Sequence, residues 1–447
     1  MERIERSPNG DRLVSESSKP RSEPPDERLF RGEATVWTDR MLTALGDGVK
    51  GGKWHSLMDK VYALKTLRLA WKKVRANKGA AGVDNISIVK FDAHAARYIE
   101  ELHDALKTQC YEPKPVKRVY IPKADGGERP LGIPTIKDRI VQMAIKMVLE
   151  PIFENEFCDD SYGFRPKRSA KDALREVNRE LCAGKHWVVD ADIKGYFDAI
   201  DHSLLISMLK EYIADQTLLG LITSYLNQNI LDGVDEWTPI KGSPQGAVLS
   251  PLLANIYLTG LDKTIGESHK IIRYADDFVI LCRSQEEAEL ALGKVTQWTE
   301  QHQLTLHPTK TKISHELSDE HGFDFLGYTF REGFRYARAK AIDGLRSKIR
   351  IGTRRQPGKS IKAVIAALNR VLRGWFEYFK HAWYTLFRFI DGFVRRRLRS
   401  ILRKYLKKSG GTGRNVLDHI AWPNIFFAKL GLFTMHEAFV RASESRC

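Results

Sequence analysis

The sequence predicts an α+β protein of several domains. Segments with apolar residues at helical spacing are interspersed irregularly with short β-rich runs, unlike the strict alternation of a doubly wound sheet. The 447 residues are 43% hydrophobic and 10% aromatic, enough apolar surface for cores that need no disulfide or metal staple. Lys and Arg number 72 against 56 acidic residues, and the net charge of +16 points to a polyanionic partner.

The elements follow in order. Residues 1–53 read as a flexible extension, with Ser, Pro, Glu and Arg dominating the first 35. Leu57, Val61, Leu64, Leu67, Trp71 and Val74 recur at helical spacing, which predicts one helix over 54–78, stopped by Asn77-Lys78-Gly79. His94 to Lys107 predicts a second helix. Val116 to Pro122 and Arg129 to Ile133, joined through Gly126-Gly127, predict a β-hairpin. Arg139 to Phe153 is an apolar helix and Trp187 to Ile193 a short strand. Further strands are expected at Ile271 to Tyr274, Phe278 to Cys282 and Phe323 to Phe330. Ser360 to Lys380 and Leu386 to Leu406 read as long basic amphipathic helices, and Trp422 to Phe439 as a short terminal module after Gly410-Gly411-Thr412-Gly413. Trp375 and Phe379, at i and i+4, read as helical core rather than as stacking platforms.

Charge is distributed unevenly. Residues 331–410 hold 23 basic and 4 acidic residues, a net +19, while 1–330 is net −4. The whole surplus lies in one segment, which marks it for contact with nucleic acid. No stretch reaches the roughly 18 to 20 uncharged apolar residues of a membrane span, and the N-terminus has no apolar signal core. The five cysteines stand apart with no C-x-x-C, which excludes a Cys-rich zinc module and suggests a reducing, cytosolic compartment.

Two acidic clusters carry the chemistry. Asp276-Asp277 lies between the runs Ile271-Ile272-Arg273 and Phe278-Val279-Ile280-Leu281, at a hairpin tip on rigid arms. Alone, the pair reads sooner as an ordinary acidic turn than as a cation site. Asp190-Ala191-Asp192 adds carboxylates at i and i+2, on one face of a strand beside Tyr196-Phe197. Three carboxylates from two strands suit two Mg²⁺ ions about 3.5–4 Å apart, the arrangement of in-line phosphoryl transfer. Asp190 is also readable as a solvated strand-edge residue.

At this point the motifs carry a resemblance. Asp192-Ile193-Lys194-Gly195-Tyr196-Phe197-Asp198 with Asp201-His202 resembles motif A of reverse transcriptases, and Tyr274-Ala275-Asp276-Asp277 resembles their motif C as found in group II intron-encoded enzymes. Further blocks in the family's order are Gly132-Ile133-Pro134-Thr135 with Asp138-Arg139 and Gln142, Ser161-Tyr162-Gly163-Phe164-Arg165-Pro166, Gly242-Ser243-Pro244-Gln245-Gly246 with Ser250 to Asn255, and Phe325-Leu326-Gly327-Tyr328. Upstream, Ala76 to Asp84 resembles the family's N-terminal extension.

The resemblance implies a right-hand polymerase: N-terminal extension and fingers over 54–186, palm with part of the fingers over 187–335, a basic helical thumb or maturase domain over 336–410, and a small DNA-binding-like module over 411–447. It implies catalytic roles for Asp192, Asp276, Asp277 and Lys310, with a metal set of Asp192, Ile193, Asp276 and Asp277 holding two Mg²⁺ (Mn²⁺ as substitute). Lys123, Arg129, Phe197 and Gln245 are implied to bind the incoming nucleotide. Phe197 falls where the family keeps a bulky residue beneath the sugar, against a 2′-hydroxyl. Lys310 is placed to act as general acid at the pyrophosphate, and is equally readable as a solvated lysine. Arg373 and the run Arg395, Arg396, Arg397 and Arg399 are implied to contact RNA phosphates.

The expected activity is RNA-templated DNA synthesis on a DNA primer from dNTPs, in a bacterial cytosol. The expected partners are the parent group II intron RNA, whose splicing and retrohoming it assists, and target DNA. Two rival readings are an RNA chaperone with a vestigial polymerase and an enzyme domesticated for defence or repair. All three carboxylates, Gln245 and Phe197 being present counts against the first, and no fused effector domain supports the second. No paired Cys or His set stands where many relatives carry a nuclease, so second-strand cleavage is not expected.

Overall fold

In the computed structural model, which describes residues 36–37, 43–45, 52–122, 127–354, 360–406 and 416–444, the helix expected over 54–78 forms as two. These are Met58–Tyr62 and Leu64–Ala76, separated because Ala63 takes an extended ψ of 130°. The apolar positions still converge, and Leu57, Val61, Leu67, Trp71 and Val74 are all buried. The expected tail at 1–35, Lys123 and the glycine-rich stretch at 410–413 lie outside the described residues.

The strands are Val116–Pro122 (β1), Glu128–Ile133 (β2), Trp187–Asp192 (β3), Ile230–Asp232 (β4), Asp235–Trp237 (β5), Lys270–Tyr274 (β6), Asp277–Cys282 (β7), Lys312–His315 (β8), Phe323–Phe325 (β9), Tyr328–Arg331 (β10) and Phe334–Ala337 (β11). They form three sheets, ordered β2-β1-β4-β5, β6-β7-β3-β8 and β11-β10-β9. The β1–β2 hairpin of the fingers forms as expected, with β2 starting at Glu128, one residue before the expected Arg129. The expected strand over 323–330 is instead a hairpin, because Leu326 (φ 48°) and Gly327 (φ 82°) are consecutive left-handed residues that reverse the chain.

The palm sheet β6-β7-β3-β8 is antiparallel throughout, with Asp192 opposite Asp277 and Tyr274 opposite Asp277 in register. Period-2 alternation sends its residues into two cores. Val189, Ala191, Ile271, Phe278 and Ile280 join the larger core with helices Ile136–Glu154, Ser250–Gly266 and Gln285–Gln301. Val188, Ile272, Val279 and Leu281 join a second core with helix Ala170–Cys182, the β9–β10 hairpin and the thumb. Asp190 and Asp192 share the parity of Val188, so the site opens on the thumb side.

Helix Ile136–Glu154 starts a turn earlier than expected because Thr135 caps it, its hydroxyl accepting from Asp138 N. Arg139 on that helix donates to Pro134 O (2.9 Å) and to Ala80 O, while Tyr111 donates to Asp138 (2.7 Å). The Ala76 to Asp84 block is thereby fastened to the fingers.

The thumb comprises helices Ala339–Gly352, Ile361–Phe379 and Thr385–Tyr405. In Ile361–Phe379 the buried stripe Val364, Ile365, Leu368, Leu372, Phe376 and Phe379 keeps helical spacing, and each such side chain contributes about 1.5–3 kcal/mol on burial. Trp375 stacks on Phe379 at 4.5 Å within this packing. Trp422, Phe427 and Met435 are buried in the same core, so the terminal helices pack into the thumb.

Candidate active site

The β6–β7 hairpin turns in two residues, Ala275 and Asp276, with Ala275 in the left-handed region (φ 61°). The loop carrying Gly163 presses against this tip: a Cβ there would stand 2.3 Å from Ala275 N. From beneath, the fully buried Arg273 donates to both carboxylate oxygens of Asp262 (2.7 and 2.5 Å), to Asn255 Oδ1 (3.0 Å) and to Ala275 O (2.8 Å). Asn255 Nδ2 in turn donates to Gly163 O (2.8 Å). The Asp276 turn is thus gripped on both sides. Sequence reasoning missed this clamp, although its signal was present: an arginine inside an apolar strand, and Asn255 and Asp262 seven apart among the apolar residues of one helix.

Asp192 sits at the end of β3, and its carbonyl accepts from His307 N (2.7 Å). That contact brings Lys310 across, so that Lys310 Nζ lies 2.5 Å from Asp192 Oδ2. Burial, then Asp276 and Asp192, push the Asp277 carboxyl up to about 7, against the opposing charge of Arg338 and the Leu326 backbone. Burial and Asp192 also raise Asp276, against the pull of Arg129 and Lys310. Asp190, one pleat deeper, is raised to about 7 by burial and then Asp277. This crowding of carboxylates is the electrostatic condition that a divalent cation relieves. Among the described residues no three His, Cys, Asp or Glu side chains close a metal shell by themselves. Ile193 is buried and apolar, so any ligation there falls to its carbonyl.

A cavity of about 680 Å³ gathers Asp192, Ile193, Asp276, Lys310, Arg129, Phe197 and Gln245. Asp277 lies outside its lining. Phe197 is half-buried, with its carbonyl accepting from Ser243 N (2.8 Å). The Gly242–Gly246 loop is pinned between motif A and the fingers: Gly132 N donates to Gln245 O (2.7 Å), and a Cβ on Gly246 (φ 105°) would stand 2.7 Å from Gly132 O. Gln142 holds the loop's far end by accepting from Val248 N (2.9 Å). Phe164, 47% exposed and left-handed (φ 59°), also lines the cavity and was not foreseen.

Residues 121–330 match the family model for reverse transcriptase (RNA-dependent DNA polymerase), and residues 342–419 match the group II intron maturase-specific domain. Protein YkfC of Escherichia coli (strain K12) is 33% identical over 60% of this chain and 81% of its own length. The chain belongs to the group II intron reverse transcriptase/maturase family. The group II intron-encoded protein LtrA of Lactococcus lactis subsp. cremoris is 41% identical over 44% of this chain and 33% of its own. A solved Cas6-RT-Cas1–Cas2 complex covers 55% of this chain and 43% of its own at 26% identity and a TM-score of 0.36, too low to add to the fold assignment.

The reverse transcriptase domain is an RNA-directed DNA polymerase of the right-hand fold that works with divalent cations, and the maturase domain adds splicing assistance with RNA as its partner. No helix among the described residues is long and apolar enough to cross a membrane.

Within the maturase domain the expected RNA-binding arginines meet different fates. Arg399 is buried, donating to Trp422 O (3.0 Å) and Asn424 Oδ1 (3.0 Å) with its guanidinium over the Phe427 ring. Its expected place on the RNA-facing surface is therefore corrected: it fastens the terminal helices. Arg397 is half-buried and donates to Thr353 Oγ1 (2.9 Å) and Thr353 O (3.1 Å), joining two thumb helices. Arg396 lies over Phe393, Arg395 is half-buried near Asp391, and Arg373 is exposed over Phe433. The helix turns these neighbours to different sides, as a 3.6-residue period requires.

Proposed function

We propose that this reverse transcriptase extends a DNA primer on an RNA template with Mg²⁺ as its cation, and that its thumb binds the parent intron RNA. The observation that carries the first part is the single cavity shared by Asp192, Asp276, Lys310, Arg129, Phe197 and Gln245. Asp192, Asp276 and Asp277 would hold the cations. When bound, two Mg²⁺ ions supply activation of the 3′-hydroxyl and stabilisation of the leaving oxygen. Arg129, on the exposed arm of the β1–β2 hairpin, offers a planar fork to the triphosphate. Lys310 neutralises Asp192 in the free chain, turns to the triphosphate as it arrives, and delivers a proton from Nζ to the departing pyrophosphate. The Phe197 ring and the Gln245–Gly246 backbone set the sugar and base against the carboxylates. Mn²⁺ would substitute because the donors are all oxygen.

Primer extension with Asp192→Asn, Asp276→Asn and Asp277→Asn tests the assignment. Each variant is expected to lose cDNA synthesis while holding structured RNA within a few-fold of the unaltered chain. Full activity in the Asp192→Asn variant would move the metal site to Asp190.

A further inference from the structure

The thumb carries a second cavity, of about 380 Å³, that shares no residue with the polymerase cavity. Trp383, Tyr336 and Phe389 wall it, with Ile342 and Leu386 beneath. Phe389 is 58% exposed, and the neighbouring Phe334, 43% exposed, meets Trp383 edge-on at 4.3 Å. Trp383 and Tyr336 are half-buried, so the open rings beside the cavity are Phe389 and Phe334, contiguous with its apolar walls, and a contiguous apolar patch of this kind marks a contact surface. Both rings stand in the segment that holds the chain's entire positive surplus. Arg346 lies over the Phe389 ring at 5.0 Å, and Arg331 over Tyr336 at 4.7 Å. Arg346 also reaches Asp343 Oδ1 (3.3 Å) and Arg331 donates to Glu320 O (3.3 Å), so a phosphate would draw Arg346 from an exposed carboxylate, whereas an apolar protein partner would have to bury both cations.

We propose that this groove takes an unpaired RNA base, stacked against Phe389 and Trp383, while Arg346 faces the adjoining phosphate. Single-stranded RNA is read in this way, by aromatic faces and arginine planes on bases splayed out of a helix. The inference rests on the reading that the thumb contacts RNA, and it adds where and by what force. Stacking and phosphate neutralisation separate in a salt series. Removing a cation that neutralises a phosphate flattens the slope of log K against log salt, whereas removing a stack lowers K at every salt and leaves the slope unchanged.

The test uses the full chain with its polymerase cleft saturated by an unlabelled hairpin primer–template. Binding of single-stranded oligo(rA) is compared with an abasic oligomer of equal length and charge. The unaltered chain is expected to prefer oligo(rA) by about tenfold, the size of one stacked base. Phe389→Ala removes that preference with the slope unchanged, and Phe389→Trp keeps it; the exposure of this ring makes both variants safe for folding. A preference that survives Phe389→Ala overturns the proposal. So does an equal loss for both oligomers, which would mark a phosphate effect, or a change confined to self-association, which would mark a protein contact. If the unaltered chain binds intron RNA and the variants match it throughout, the groove alone fails. If it binds no RNA, the thumb reading fails with it.

Discussion

Arg273 and Asp262 form a bidentate ion pair wholly inside the palm, and the same guanidinium holds the carbonyl of Ala275 at 2.8 Å. The pair links helix Ser250–Gly266 to the turn that presents Asp276. Removing one partner of such a pair costs about 3–5 kcal/mol, because a buried charge is left alone, whereas replacing both by apolar residues is often near neutral. The pair therefore contributes position more than stability.

The double variant Arg273→Met with Asp262→Leu is expected to lose less stability than either single variant, its remaining cost coming from the freed acceptors Asn255 Oδ1 and Ala275 O, while kcat for primer extension falls by about a hundredfold, the loss that follows a displacement of roughly 1 Å at reacting groups. KM for dNTP should change little. Thermal melting beside steady-state kinetics checks this; an unchanged kcat would leave the pair with no role at the turn.

Phe197→Ala should lower discrimination against ribonucleotides by about 10–200-fold, the range that removal of a shape constraint usually spans. Its ring lines the cavity that holds Asp192 and Asp276. Single-nucleotide extension with matched dNTP and rNTP measures the ratio, and an unchanged ratio in an active enzyme would place the ring in a packing role.

Lys310 is 61% exposed yet tied to Asp192, so its replacement should spare the fold. Lys310→Gln is expected to slow extension by about a hundredfold, as for loss of a general acid. Lys310→Arg separates the two duties, since arginine keeps the charge and does not release a proton near neutral pH. Single-turnover extension should find both variants slow. Full recovery with arginine would reduce the role to charge pairing.

Arg399→Gln should destabilise the thumb by about 2–3 kcal/mol because its charge-assisted hydrogen bonds are broken, with the salt slope of RNA binding unchanged. Replacing Arg373 and Arg395 with Gln is expected to flatten that slope by about one unit for each phosphate left without its cation. Melting curves and filter binding across salt distinguish the two outcomes, and a flattened slope from Arg399→Gln would return that residue to the RNA face.

Much of the polymerase was legible in the chain because its chemistry depends on local patterns. Short β-rich apolar runs marked β3, β6 and β7, and Asp276-Asp277 between two of them was legible as a hairpin tip before any geometry was known. Helical periodicity likewise anticipated Ile361–Phe379 and Thr385–Tyr405 to within a few residues. Tertiary structure decided what no local pattern encodes. Arg273 stands out locally as a charge inside an apolar strand, but its partners do not, and Arg399 sits in a run of arginines where nothing nearby separates it from its surface neighbours. Asp262 and Asn255 make one a clamp on the active turn, and Trp422 and Asn424 make the other a fastening for the terminal helices. A charged side chain takes its role from the partner that compensates its desolvation. Those partners stand 11 to 25 residues away along the chain and meet only when it folds.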